Sequence, residues 1–178
     1  MLSTTSTMPP ATPGAASAAA RQLLRFSLAD GIYGAPIDAV REILEVPPTT
    51  ELPRMPAFVR GVMNLRGAVV PVVDLAARFG LPPTQVGRRS CVVVVDAMPP
   101  GTAERDRQVL GLLVDAVHEV LDVSEEQIGP PPSLGTRINP EFIAGVTRAH
   151  DHLLTVLDLP RALNGDDLAQ LVAGEPAA

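Results

Sequence analysis

The stretch RGVMNLRGAVVPVVDL, residues 60–75, places short apolar runs on either side of Arg66-Gly67. Two such runs joined by residues that tolerate positive φ angles are typical of a β-hairpin. Because Pro71 cannot donate a hydrogen bond to a ladder, we expect the returning strand to lie at a sheet edge or a bulge. The 19 prolines of the chain also disfavour a helical bundle. The stretch therefore predicts a mainly β protein built from short hairpins.

The same signature recurs on both sides of this stretch. LLRFSLA and IYGAPI, residues 23–29 and 32–37, are joined by Asp30-Gly31, a strong hairpin-turn dipeptide. RSCVVVVD and QVLGLLVD, residues 89–96 and 108–115, predict two further strands, with a polar loop between them.

An internal repeat organises these segments. DAVREILEV at residues 38–46 returns as DAVHEVLDV 77 positions later, and PAFVRGV at residues 56–62 returns as PEFIAGV 84 positions later. Each copy predicts about five strands, with a short helical turn at the DAV segment. Because five short strands are stable only when they close or pack on a partner, we predict two tandem five-stranded β-barrels. The first copy covers approximately residues 21–89 and the second approximately residues 90–165.

The two ends of the chain differ from the repeat. Residues 1–20 have the Ser, Thr, Pro and Ala bias of a disordered tail, and residues 166–178 predict a C-terminal helix and tail. The tail carries no Lys or Arg, unlike a signal peptide, and no run approaches the roughly 18 apolar residues of a membrane helix. We therefore expect a cytoplasmic protein.

Composition argues against nucleic-acid binding. The formal charge is −6 and only 3% of residues are aromatic, so neither a basic face nor stacking platforms for bases are available.

No enzyme constellation is visible in the sequence. There is no glycine-rich phosphate loop and no nucleophile, base and orienting group at a specific spacing, so we expect no cofactor. His150-Asp151-His152 could supply two metal ligands, but a solvated hairpin tip explains it better because no third ligand is nearby. Cys91 lies in an apolar run and is expected to be a buried core thiol.

Paired carboxylates recur in both copies. Asp38 and Glu42, like Asp115 and Glu119, stand four residues apart, which on a helical turn would place each pair on one face. A structural role is favoured over acid-base chemistry, which would require Glu42 and Glu119 to converge in one pocket.

The hairpin tip at Asn64, Leu65, Arg66 and Gly67 stands apart, because the second copy has different residues there. Backbone geometry alone could account for Arg-Gly at a tip. An Arg beside an exposed Leu on a rigid turn is nevertheless a typical interface anchor.

At these residues the chain resembles the CheW family of chemotaxis coupling proteins. The resemblance covers about residues 21–165 and is carried by IYGAPIDAVREIL, PAFVRGVMNLRGAVVPVVDL, GLLVDAVHEVL and FIAGVTRAHDHLLTVLDLPRAL. It implies two barrels similar to Src-homology-3 domains, without catalytic activity. It also implies two partners, namely the regulatory domain of a CheA-type histidine kinase and the cytoplasmic tip of a methyl-accepting chemoreceptor.

The resemblance also implies interaction residues, although not which partner each one contacts. Together with the hairpin tip, the candidate protein-interaction residues are Val40, Glu42, Ile43, Asn64, Leu65, Arg66, Gly67 and Val120. Two other interpretations remain open at this point. One is a ligand-binding β-barrel, which would need a dry cavity, and the other is a regulatory module of a kinase-like pathway.

Overall fold

In the computed structural model, residues 20–97, 108–131 and 137–163 are described. The predicted tail lies outside these ranges, apart from Ala20, and so does the predicted C-terminal helix. Most of the polar loop between residues 97 and 108 also lies outside them.

Ten strands make up most of the described chain. The first copy of the repeat contains β1 Ala20–Leu28, β2 Gly31–Pro36, β3 Val40–Glu45, β4 Val59–Leu65 and β5 Ala68–Asp74. The second copy contains β6 Cys91–Ala97, β7 Gln108–Val114, β8 Ala116–Ser124, β9 Ile143–Ala149 and β10 His152–Leu157. One-turn helices follow β5 and β10, namely α1 Leu75–Arg78 and α2 Leu159–Ala162. Short 3₁₀ turns lie at Ile37–Ala39, Glu125–Gln127 and Pro140–Phe142. The prediction of five strands per copy is confirmed.

The strands form two five-stranded sheets that exchange strands between the copies. Sheet A has the order β8-β1-β2-β10-β9, and sheet B has the order β3-β6-β7-β5-β4. Each copy keeps its first two strands in one sheet and contributes its last three to the other. The mainly β fold with two five-stranded barrels is confirmed, but the expectation that each copy closes on itself is corrected. Sequence similarity between the copies identifies equivalent strands and does not determine which strands pair.

Each sheet closes into a barrel across a gap between its two edge strands, which we call the seam. In sheet B, Thr50 follows β3 and exchanges two backbone hydrogen bonds with Val62 of β4, at 2.8 and 2.9 Å. In sheet A, Gly129 follows β8 and does the same with Val146 of β9, at 2.7 and 3.0 Å. The seam contacts reduce the unpaired edge that an open sheet would expose.

The predicted hairpins are present, with one shift. Leu65 pairs with Ala68 across Arg66-Gly67, which adopt φ angles of +52° and +88°. The first hairpin turns at Ala29 and Asp30, however, and not at Asp30-Gly31. The Ala29 N–H donates to the Asp115 carboxylate at 2.7 Å, which stabilises the turn one residue earlier.

The short helical turn predicted at the DAV segment is present in the first copy as the 3₁₀ turn Ile37–Ala39, but β3 begins at Val40, and in the second copy β8 begins at Ala116 without such a turn. Exposure alternates along Val40–Glu45, with Arg41, Ile43 and Glu45 outward, as a strand with a period of two requires. Asp38 lies in the preceding 3₁₀ turn, so it shares no helical face with Glu42. Over so short a span, the pattern VREILE fits the period of a helix as well as that of a strand. The pairing of this segment with β6 makes it a strand.

The prediction for Pro71 is wrong about a sheet edge, although the β4–β5 ladder has a β-bulge close by, between Val59 and Gly61 opposite Val73 and Val72. Its strand, β5, lies inside sheet B between β4 and β7. The parallel ladder with β7 begins only at Val72, so Pro71 lies just outside it. The N–H that proline lacks is therefore not needed for a hydrogen bond of that ladder.

Three apolar clusters hold the fold together. The largest fills the space between the two sheets, and smaller clusters fill each barrel. Along β6, Val92 and Val94 point into the sheet-B barrel, whereas Val93 and Val95 point into the central cluster. Both faces of β6 are therefore buried, which explains its uninterrupted valine run. The Cys91 thiol at its start is half-buried and packs against the central cluster.

Candidate interaction surface

The tip of the β4–β5 hairpin is fixed by its own side chains. The Gly67 N–H donates to the Asn64 side-chain oxygen at 2.9 Å. Because a Cβ on Gly67 would meet nothing within 4 Å, its positive φ and not lack of space favours glycine. Asn64 and Gly67 therefore shape the turn that presents Arg66.

Arg66 forms an ion pair across the seam of sheet B. Its Nη2 lies 3.0 and 3.2 Å from the two carboxylate oxygens of Glu42 on β3. The Arg66 side chain is 78% exposed and that of Glu42 is 22% exposed. The pair thus holds the hairpin tip against the opposite edge strand while leaving the guanidinium open to a partner.

Exposed apolar side chains lie next to this pair in the sequence. Ile43 follows Glu42 and is 42% exposed, and Val69 lies just beyond the turn and is 71% exposed. Val40 and Leu65 are only half-buried, and they pack against the central and sheet-B clusters. We call the group formed by Glu42, Ile43, Leu65, Arg66 and Val69 surface B.

The second copy builds a counterpart on sheet A. Glu119, Val120, His150 and Leu153 occupy the repeat positions of Glu42, Ile43, Arg66 and Val69. His150 Nε2 lies 3.3 Å from the Glu119 carboxylate, again across a seam. Val120 and Leu153 are 45% and 60% exposed. We call these four residues surface A.

Surface A differs from surface B in the cations around its carboxylate. Arg25 of β1 donates to both Glu119 oxygens, at 2.9 and 3.2 Å. Desolvation raises the pKa of the Glu119 carboxyl, but the hydrogen bond and charge of Arg25, with a contribution from His150, bring it below its ordinary value. Glu119 therefore contacts one permanent cation, Arg25, and one histidine ring, that of His150.

The structure divides the predicted interaction residues between the two surfaces. Sheet B carries or adjoins all those of the first copy, which are Val40, Glu42, Ile43, Asn64, Leu65, Arg66 and Gly67. Val120 lies on sheet A and does not join them. Sequence reasoning missed Val69, Leu153 and the Arg25–Glu119–His150 cluster, although the 84-residue offset between Val69 and Leu153 could have indicated the matched pair.

The carboxylates do not form an acid-base site. Glu42 and Glu119 lie in different sheets, and each is paired with a different cation. The buried Asp74 caps α1, accepts from the Thr84 N–H and hydroxyl at 2.9 and 3.0 Å, and lies 3.5 Å from Arg60. These contacts occupy both carboxylate oxygens of Asp74 and hold the segment that follows α1 in place. Asp74 therefore has a structural role.

The described part of the chain has neither a metal-ligand cluster nor a membrane-spanning helix. Within residues 20–97, 108–131 and 137–163, no group of three or more His, Cys, Asp and Glu side chains could hold a metal ion. Over the same ranges, no helix is long and apolar enough to cross a membrane.

Comparison with known proteins identifies consistent relatives. The family model described as the CheW-like domain matches residues 22–167. A probable chemotaxis protein CheW from Rhizobium etli is 37% identical over 139 residues, which cover 78% of this chain and 84% of that protein. The chemotaxis protein CheW of Treponema pallidum is 32% identical, over 84% of this chain and 86% of that protein. Among solved structures, the scaffolding protein TtCheW from Thermoanaerobacter tengcongensis is similar, with a TM-score of 0.71 and 33% identity over 83% of this chain and 94% of that one.

Proposed function

This chain belongs to the CheW-like family, and we propose that it is a chemotaxis adaptor that couples methyl-accepting chemoreceptors to a CheA-type histidine kinase by binding both. The observation that carries the proposal is the pair of equivalent surfaces on two exchanged sheets. A single small chain thereby presents two separate sets of exposed apolar and charged side chains.

The proposed partners are the kinase regulatory domain and the cytoplasmic tip of the receptor. Exposed Ile43 and Val69 beside Arg66, and exposed Val120 and Leu153, supply the apolar and arginine anchors that protein interfaces favour. Both partners would place the chain in the cytoplasm, at the inner face of the membrane, without entering the bilayer. No nucleic-acid partner is proposed.

The proposed mechanism is positional and involves no catalysis. The central cluster packs side chains from both sheets together, so a partner on surface A and a partner on surface B are held in a defined relation. A receptor whose signalling states differ in their contacts with the chain would then bias the kinase through those contacts. Repetition of such contacts in an array adds avidity.

The ligand-binding barrel is disfavoured by the barrel interior. Six buried side chains fill the sheet-B barrel, namely Met63, Val70, Val72, Val92, Val94 and Leu113. A barrel of this size is filled by its own side chains and leaves no room for a small ligand.

The test is a binding titration with a kinase regulatory-domain fragment and a receptor-tip fragment. Arg66→Ala should weaken binding of at least one fragment by about 5- to 30-fold, equivalent to about 1–2 kcal/mol. Arg21→Ala is the matched control, because Arg21 also forms an exposed ion pair, with Glu125 at 2.9 Å, but lies on β1 of sheet A. A folded wild-type chain that binds neither fragment would refute the adaptor function.

A further inference from the structure

The two seams are closed by ion pairs of different chemistry. On sheet B the cation is an arginine, which stays charged at all ordinary pH values. On sheet A the equivalent residue is His150, whose ring carries a positive charge only when it is protonated. The repeat thus supplies an internal comparison between a permanent and a titratable version of the same contact.

We propose that His150 makes surface A pH-dependent, because its protonation anchors the β9–β10 hairpin tip to Glu119 across the seam. This inference rests on the proposed function and adds a regulation of one of its two surfaces. Surface B, held by Arg66, does not respond in the same range.

The surroundings of His150 confine the effect to the tip. Glu119 and Arg25 face it from β8 and β1, with Glu119 in contact with both cations. When His150 is neutral, the two contacts with Arg25 still hold Glu119 in place on its strand. Loss of the His150 charge therefore weakens the contact between the hairpin tip and Glu119 and leaves the Arg25–Glu119 contacts in place.

Other charged groups lie near the tip, and their contributions to any pH effect must be distinguished from that of His150. Asp151 and His152 belong to the same hairpin, and Arg148 pairs with Leu153 across it. His118, beside Glu119 in the chain, bonds to Ser27 at 2.6 Å. Because His118 and His152 are imidazoles as well, wild type alone cannot assign the effect to His150.

The sign of the effect follows from the ion pair. Protonated His150 attracts the Glu119 carboxylate, so the anchored tip is favoured at low pH and loses this support as the pH rises. An exposed pair of this type stabilises only weakly, so the expected change in affinity is about 1.5- to 5-fold.

The decisive variant is His150→Arg, which reproduces the chemistry of sheet B on sheet A. The fold should tolerate it, because His150 has a φ of +50° and Arg66 already adopts +52° at the equivalent position. The variant keeps His118 and His152, so a difference between it and wild type isolates His150.

Two measurements test the proposal at about pH 6 and pH 8. The first is the affinity of the kinase and receptor fragments, where wild type should lose about 1.5- to 5-fold on raising the pH for the fragment bound at surface A. On the same rise in pH, the affinity of the His150→Arg variant should fall less than that of wild type, and the difference should be about 1.5- to 5-fold. The second is amide hydrogen exchange of the β9–β10 tip, corrected for intrinsic rates, which should show more protection at low pH in wild type only.

The outcomes separate this proposal from the adaptor function. Identical pH dependence of tip protection in wild type and His150→Arg would overturn the inference, whatever the fragments do. Binding of neither fragment at either pH would refute the adaptor function, and the exchange measurement would still decide whether His150 anchors the tip. If wild type and His150→Arg both bind the fragments and their affinities change equally between the two pH values, the tip does not control surface A.

Discussion

Arg66 and Glu42 form an ion pair across the seam of the sheet-B barrel, with 3.0 Å between Nη2 and the nearer carboxylate oxygen. Glu42 lies on the edge strand β3 and Arg66 in the turn that follows the opposite edge strand β4, and these two strands are not neighbours in the sheet. The pair therefore helps to close the barrel and also presents a cation at a surface with exposed Ile43 and Val69.

Glu42→Gln and Arg66→Ala should be coupled in binding but nearly neutral in stability. Each single change should lower the free energy of unfolding by less than about 1 kcal/mol, as expected for an exposed ion pair, measured by urea denaturation. In a double-mutant cycle, the double variant should bind the sensitive fragment about as weakly as Arg66→Ala alone. Strictly additive losses would show that Glu42 does not act through Arg66.

Gly61→Ala and Gly145→Ala should both disrupt a seam. A Cβ on Gly61, which also has a φ of +137°, would lie 2.2 Å from the Thr50 carbonyl oxygen, and one on Gly145 would lie 2.5 Å from that of Gly129. Because the obstacle is backbone in both cases, we expect losses of about 2–4 kcal/mol in the free energy of unfolding.

Gly80→Ala provides the control for these two variants. Gly80 has a φ of +79°, but a Cβ there meets nothing within 4 Å. It should cost only about 1–2 kcal/mol, the penalty of a left-handed conformation. Losses at Gly61 and Gly145 no larger than at Gly80 would contradict the role of close packing at the seams.

Val69→Ser and Leu153→Ser should weaken partner binding without unfolding the chain. Both side chains are largely exposed, so their removal should change the free energy of unfolding by less than about 0.5 kcal/mol. Val86→Ser is the matched control, since Val86 is 57% exposed but lies between α1 and β6, outside both surfaces. Equal effects of all three substitutions on fragment affinity would remove Val69 and Leu153 from the interface.

Cys91 should react slowly with thiol reagents. Burial raises the pKa of its thiol; a backbone hydrogen bond with Val117 opposes this effect and the Glu45 carboxylate adds to it. Because the thiolate is the nucleophile, the native chain at about pH 8 should react several-fold more slowly than the same chain in denaturant, with the rate increasing as the pH rises. Equal rates in a stopped-flow alkylation assay would show that the thiol is freely accessible.

The sequence predicts the hairpins well because their turns are local. Arg66-Gly67 lies at the tip between two apolar runs, and the structure confirms the turn there. The first turn was displaced by one residue because Asp115, distant in sequence, accepts from Ala29. Local patterns cannot reveal a carboxylate supplied from another strand.

The exchange of strands between copies could not be predicted from the repeat. β3 follows β2 closely along the chain but pairs with β6, and β8 pairs with β1. The repeat predicts the same set of strands in each copy. Barrels built from one copy and barrels that exchange strands between copies are therefore equally compatible with the sequence. The same limitation hid the Arg25–Glu119 contact of surface A, since β1 of the first copy meets β8 of the second only after the exchange.

The most direct test of the adaptor function is simultaneous binding. A tagged kinase regulatory domain is immobilised, and capture of a receptor-tip fragment is measured with and without this chain. We predict that the receptor fragment is retained only when wild-type chain is present, and that Arg66→Ala reduces its retention while Arg21→Ala does not. Equal retention with and without the chain, or binding of the two fragments only in mutually exclusive complexes, would contradict the account.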